Sequence, residues 1–142
     1  MHLVDFRQKW FYCVLLSSGL VFAVSLVALA YQNPAAEAKK VPVIDAGIGS
    51  CSEEFTVNDP AGKPVYDAKI RVHIAYGFMN LRKLDLEQGT NIDGKARFIG
   101  LPNKVKQPLE FAASKDNLQG SAVYDPANHC KATDIIILAK HD

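Results

Sequence analysis

The stretch Ala68-Lys69-Ile70-Arg71-Val72-His73-Ile74 alternates apolar and polar side chains without a break. In an extended chain successive side chains point to opposite faces. Ala68, Ile70, Val72 and Ile74 therefore share one face, and Lys69, Arg71 and His73 share the other. A period of two over seven residues specifies a strand with one covered face. It also sets the register, because a slip of one residue would turn the charges inward.

The same grammar extends in both directions. Upstream, Phe55 and Val57 form a strand closed by Asp59-Pro60-Ala61-Gly62, where proline presets φ and glycine accepts a positive one. Downstream, Leu81, Leu84 and Leu86 form a less regular strand, and the parity slip between Leu81 and Leu84 predicts a bulge. Thr90 to Gly94 is a turn ending in Asp93-Gly94, a strong hairpin signal, with Ala96 and Phe98 pointing inward after it. Leu109, Phe111 and Ala113 alternate after Pro108, which fits the start or edge of a strand. Ala122 and Tyr124 belong to another strand, broken by Asp125-Pro126, and Ile135 to Leu138 closes the domain. No window in this half carries a helical apolar stripe. The expected architecture is all-β, an antiparallel immunoglobulin-like sandwich of about seven strands over residues 51–142.

Ahead of these strands, Trp10 to Tyr31 runs 22 residues without a charge. As a helix it would reach about 33 Å, enough to cross a hydrocarbon core of about 30 Å. Trp10, Tyr12 and Tyr31 fall at its ends, where amphipathic rings are favoured at the headgroup level. Residues 1–9 carry Arg7 and Lys9 against Asp5, so the short basic leader is expected in the cytoplasm, with residues 51–142 in the periplasm of a bacterial inner-membrane protein. A cleaved signal peptide is the rival reading, with small-x-small sites at Ala28-Leu29-Ala30 and Ala36-Glu37-Ala38. Both readings export the same domain. Residues 32–50, with Pro34, Pro42, Gly47 and Gly49, read as a linker in which Val41, Val43 and Ile44 add a short edge pairing.

The chain has 142 residues and a formal net charge of +1. About a hundred residues remain for the exported part, enough for one domain. From Val41 onward there are 12 Lys and Arg against 13 Asp and Glu, interspersed, a net of −1. Nucleic acid is excluded as an expected partner, since it calls for a basic patch. Of the three cysteines, Cys13 lies in the apolar run, as a passive side chain or a lipidation site. Cys51 and Cys130 form an even pair outside it. A disulfide between them would belong to an oxidising compartment; two free, buried cysteines are the other reading.

Val57-Asn58-Asp59-Pro60-Ala61-Gly62-Lys63-Pro64-Val65-Tyr66-Asp67-Ala68-Lys69-Ile70-Arg71-Val72 resembles the opening of carboxypeptidase-regulatory-like, or transthyretin-like, domains. Thr90, Asp93, Gly94 and Phe98, followed by Gly100-Leu101-Pro102, resemble the same family's central turn. The resemblance implies a transthyretin-like sandwich used as a noncatalytic appendage for stability, adhesion or partner contact. The opening Gly62-Lys63-Pro64-Val65 behind an N-terminal anchor is also similar to FixH- or YtkA-type exported domains linked with copper and oxidase assembly. That second resemblance makes His73 and Met79 candidate soft ligands.

No catalytic constellation stands out: His73 and His129 lack the close partner of a zinc pair, and no serine sits in a nucleophile elbow. His129-Cys130 would bind metal only with Cys130 reduced. No cofactor is expected. Two apolar features call for a partner. Ile135-Ile136-Ile137-Leu138 is a continuous run on a strand; with Ile135 and Ile137 turned to the core, Ile136 and Leu138 face outward and dock on a partner or the linker. Ala75-Tyr76-Gly77-Phe78-Met79 offers Tyr76, Phe78 and Met79 as a contact surface. The expected function is a noncatalytic accessory or scaffold subunit that contacts other protein subunits of a membrane or envelope complex while held at the bilayer. The alternatives are the copper-associated reading and a module that binds carbohydrate or envelope polymer.

Overall fold

A computed structural model describes residues 39–140, which form nine strands and one short 3-10 turn. The strands are β1 (Val43–Asp45), β2 (Cys51–Asn58), β3 (Lys69–Tyr76), β4 (Arg82–Gly89), β5 (Lys95–Leu101), β6 (Leu109–Lys115), β7 (Leu118–Tyr124), β8 (Lys131–Ile137) and β9 (Ala139–Lys140). They build a four-stranded sheet in the order β1-β5-β2-β8 and a five-stranded sheet in the order β4-β3-β6-β7-β9. The run 10–31, with Trp10, Tyr12 and Tyr31, lies outside the described residues. Among the described residues no helix is long and apolar enough to cross a membrane.

The Ala68–Ile74 alternation lies where its pattern requires. Ala68, Ile70, Val72 and Ile74 are buried while Lys69, Arg71 and His73 are exposed. The core is aromatic at its centre. Phe55 and Phe98 of the four-stranded sheet meet Phe111 of the five-stranded sheet with ring centroids 4.6 and 5.0 Å away, and Tyr124 extends the cluster 6.4 Å beyond Phe111. Tilted and edge-on contacts of this kind add to the burial of large apolar area. Among the described residues sixteen hydrophobics are buried, from Cys51 to Leu138, and they form one cluster.

Cys51, at the head of β2, is bonded to Cys130, just ahead of β8, with a Cα–Cα distance of 4.5 Å and a sequence separation of 79. The bond closes the loop that contains nearly the whole sandwich. The chain-entropy account of such a closure gives on the order of 4 kcal/mol.

Several expectations are corrected. The sandwich has nine strands instead of about seven, and it is not wholly antiparallel: β1 runs parallel to β5, and β2 runs parallel to β8 over Ser52–Asn58. β1 is the edge pairing expected of Val43 and Ile44, and it belongs to the sheet. β4 has no bulge. It pairs with β3 without interruption from Tyr76↔Arg82 to Lys69↔Gly89, and the parity slip arises because Leu81 precedes the strand. The irregularity sits in β2 instead, between Cys51 and Glu53. The Asp93-Gly94 turn does not close a hairpin either, because β4 and β5 lie in different sheets. Asn91 makes the crossing: its Oδ1 accepts the backbone N–H groups of Asp93 (3.0 Å) and Lys95 (2.8 Å), and its Nδ2 donates to the Lys39 carbonyl at 2.9 Å. Thr90 fastens the same corner, accepting from Ala68 N–H at 2.9 Å and donating to Val65 O at 2.6 Å.

Candidate functional site

Four features of the domain have the chemistry to act, and each is set by the strand that carries it. The first is at the end of β8. Its burial alternates, with Ala132, Asp134 and Ile136 toward the core and Lys131, Thr133, Ile135 and Ile137 toward solvent. Register with β2 fixes this parity, because Val57, fully buried, stands opposite Ile136. Ile136 and Leu138 are therefore core residues at 0% exposure, and the expectation that they dock on a partner is overturned. The outward pair is Ile135 and Ile137, at 62% and 61% exposure. Ile135 stands opposite Thr56 on the outer face of the four-stranded sheet, a face that also carries Glu54 within 3.6 Å of both Lys95 and Arg97.

The second feature is the turn between β3 and β4. Gly77 (φ 79°), Met79 (φ 53°) and Asn80 (φ 57°) all adopt left-handed backbone, which lifts the 78–81 segment off the sheet. Phe78 is 83% exposed, Leu81 77% and Met79 68%; Tyr76, the last residue of β3, is half-buried and packs against the core. Exposed Arg82 and Lys83 follow directly, and Lys106 shares a groove of about 150 Å³ with Asn80.

The third is an open groove of about 750 Å³ on the outer face of the five-stranded sheet, where Arg71, His73, Asp85, Glu87 and Glu110 lie. Two contacts between side chains span it, Arg71 Nε reaching Glu87 Oε2 at 2.5 Å and His73 Nδ1 lying 2.5 Å from Asp85 Oδ1, while Glu110 has no such partner among the described residues. His73 is thus held by a carboxylate, while Met79 stands out in solvent on the 78–81 turn. Among the described residues no group of three or more His, Cys, Asp and Glu side chains converges on a metal position. His129 is exposed, and its neighbour Cys130 is in the disulfide, so the pair offers no thiolate.

The fourth feature was not foreseen. Glu53 points into the core between Cys51 and Phe55, fully buried, and neither carboxyl oxygen has a hydrogen-bond partner among the described residues. Burial, and then the Asp134 carboxylate, pushes its pKa up to about 8. The group therefore stays protonated at neutral pH, as expected of a carboxyl denied solvation. Beside it Tyr124, raised to about 12 by burial and then by Glu53 and Asp125, donates its hydroxyl to the Cys130 carbonyl at 3.1 Å. A neutral buried acid of this kind can exchange a proton, but this one is sealed from any substrate. Its signal was present in the sequence, since Cys51, Glu53, Phe55 and Val57 alternate with Ser52, Glu54 and Thr56.

No family model and no curated protein matches the chain. Among solved structures it is similar to 3-chlorocatechol 1,2-dioxygenase from Rhodococcus opacus 1CP, with 17% identity and a TM-score of 0.46 over 71% of this chain and 64% of that one. It is also similar to the C-terminal domain of the shaft pilin spaA from Lactobacillus rhamnosus GG, with 12% identity and a TM-score of 0.44 over 65% of this chain and 98% of that one. Catechol 1,2-dioxygenase from Acinetobacter sp. ADP1 matches with 11% identity and a TM-score of 0.43 over 72% and 60%. These likenesses are distant. The fold itself, two sheets packed on an aromatic core, is an all-β sandwich.

Proposed function

We propose that this chain is a noncatalytic accessory subunit, a membrane-anchored extracytoplasmic sandwich that contacts other proteins within a membrane or envelope assembly. The observation that carries the reading is the Ile135–Ile137 pair. Two isoleucines stand more than half exposed on a sheet face that also carries Thr56, Thr133, Lys131, Glu54, Lys95 and Arg97, with exposed Val43 at its far edge beside Arg97. An apolar spot rimmed by polar groups is the anatomy of a protein–protein contact. The uncharged run Trp10–Tyr31 supports the anchor, and the Cys51–Cys130 disulfide fits the oxidising periplasm. The transthyretin-like layout is supported by the order of a strand ending at Asn58, a turn at Asp59–Lys63, a bridge from Pro64 back to Asn58, and Ala68 leading into the next strand.

The test uses the full chain extracted from membranes in mild detergent. The wild type is expected to run above the size of a monomer in native measurements. The double variant Ile135→Thr and Ile137→Thr is expected to run smaller, with a melting temperature shifted by no more than about 2 °C, since exposed strand positions tolerate threonine. A wild-type monomer with no copurifying protein overturns the reading.

A further inference from the structure

The 78–81 turn differs from the Ile135 face in shape and in charge. Phe78, Met79 and Leu81 form an exposed tip, held out by three positive-φ residues within four positions, Gly77, Met79 and Asn80. Around its base stand Arg82 and Lys83 on β4 and Lys106 on the loop that lies against Asn80, all exposed. Among the described residues none of these three makes an ion pair, whereas Lys69, Arg71, Lys95, Arg97 and Lys115 each have a carboxylate partner; Lys63 and Lys131, elsewhere on the domain, are unpaired as well. An aromatic and aliphatic point with an uncommitted cationic collar is complementary to an anionic bilayer surface. The apolar side chains enter the headgroup boundary and the cations remain among the lipid phosphates.

We infer that the Phe78–Leu81 tip is a docking point for an anionic lipid surface, separate from the protein-contact face at Ile135 and Ile137. The burial of each large apolar side chain strengthens partitioning, and each cation near a negative surface adds about fivefold. The two contributions are separable, because salt screens only the second.

The test uses residues 35–142, a compact unit by itself that carries its own hydrophobic cluster and the Cys51–Cys130 disulfide. It is mixed with vesicles of phosphatidylcholine alone or of phosphatidylcholine with phosphatidylglycerol, and binding is read by sedimentation. The wild type is expected to bind the anionic vesicles, more weakly as salt is raised, and to leave the neutral ones largely unbound. Phe78→Ser with Leu81→Ser is expected to lower binding by at least about tenfold. Arg82→Gln with Lys83→Gln is expected to lower it by about twenty-fold and to flatten the salt dependence. Both pairs are exposed, so circular dichroism and melting should match the wild type. Ile135→Thr with Ile137→Thr should bind as the wild type does, which keeps this inference distinct from the protein-contact reading. Failure of the wild type to bind anionic vesicles overturns the inference and leaves the tip to a protein socket. Equal binding by the tip variant, or loss on changing Ile135 and Ile137 instead, also overturns it.

Discussion

Glu53 is the residue whose environment departs furthest from its chemistry. Unfolded, its carboxyl titrates at the ordinary 4.5; folded, it holds its proton up to about 8. Between these limits the folded chain binds more protons than the unfolded one, so stability falls as pH rises from about 4.5 to about 8, by at most about 1.4 kcal/mol per pH unit. Glu53→Gln keeps the shape and removes the titration. Urea denaturation across this range should therefore give a falling unfolding free energy for the wild type and a much flatter one for the variant. Parallel curves would mean that the carboxyl is ionised and solvated in the fold. The residue was legible as inward-facing from the alternation of Cys51, Glu53, Phe55 and Val57, yet a charged residue type reads as exposed unless parity is trusted over composition.

At the scale of the element, β8 shows why a continuous apolar run is ambiguous. Four successive large aliphatic residues fit either parity, and only the pairing of Ile136 opposite Val57 selects one. Ile136→Thr should then cost about 2–4 kcal/mol, by loss of buried aliphatic volume and the burial of an unpaired hydroxyl, while Ile135→Thr should cost under about 0.5. Chemical denaturation of the two variants distinguishes the positions, and equal costs would reject the parity. β7 is held close to the same strand at Gly120, where an added Cβ would fall against the Ile137 carbonyl oxygen and the Ile136 side chain. Gly120→Ala is expected to destabilise the edge where the two sheets meet, by about 1–3 kcal/mol. The disagreement at β4 has a similar origin. Leu81 shares its apolar character with Leu84 and Leu86, but it belongs to the exposed turn, and the strand behind it is regular.

Across the whole molecule, the disulfide and the sheet crossings hold together a domain of modest size. Cys51→Ala with Cys130→Ala should lower the unfolding free energy by on the order of 4 kcal/mol; the comparison is made by denaturant titration of oxidised wild type and variant, and a difference near zero would show that the β2–β8 pairing alone suffices. Local pattern settled the strands with one covered face, because a period of two is a property of neighbours along the chain: β3, the inward Phe55, Val57, Ala96 and Phe98, and the Leu109–Ala113 segment all stand as their alternation requires. Which strands pair was a different matter. Asp93-Gly94 has the residues of a hairpin, yet Thr90 and Asn91 turn the chain from one sheet to the other, and the first and last long strands, β2 and β8, meet in parallel across 79 residues of separation between their cysteines. The sequence by itself determined that the domain is a two-faced β structure carrying an even pair of cysteines, Cys51 and Cys130. Only the tertiary structure decided the sheet order, the buried acid and the choice between Ile135 and Ile136, because those depend on contacts between residues far apart in the chain, whose energies no local pattern records.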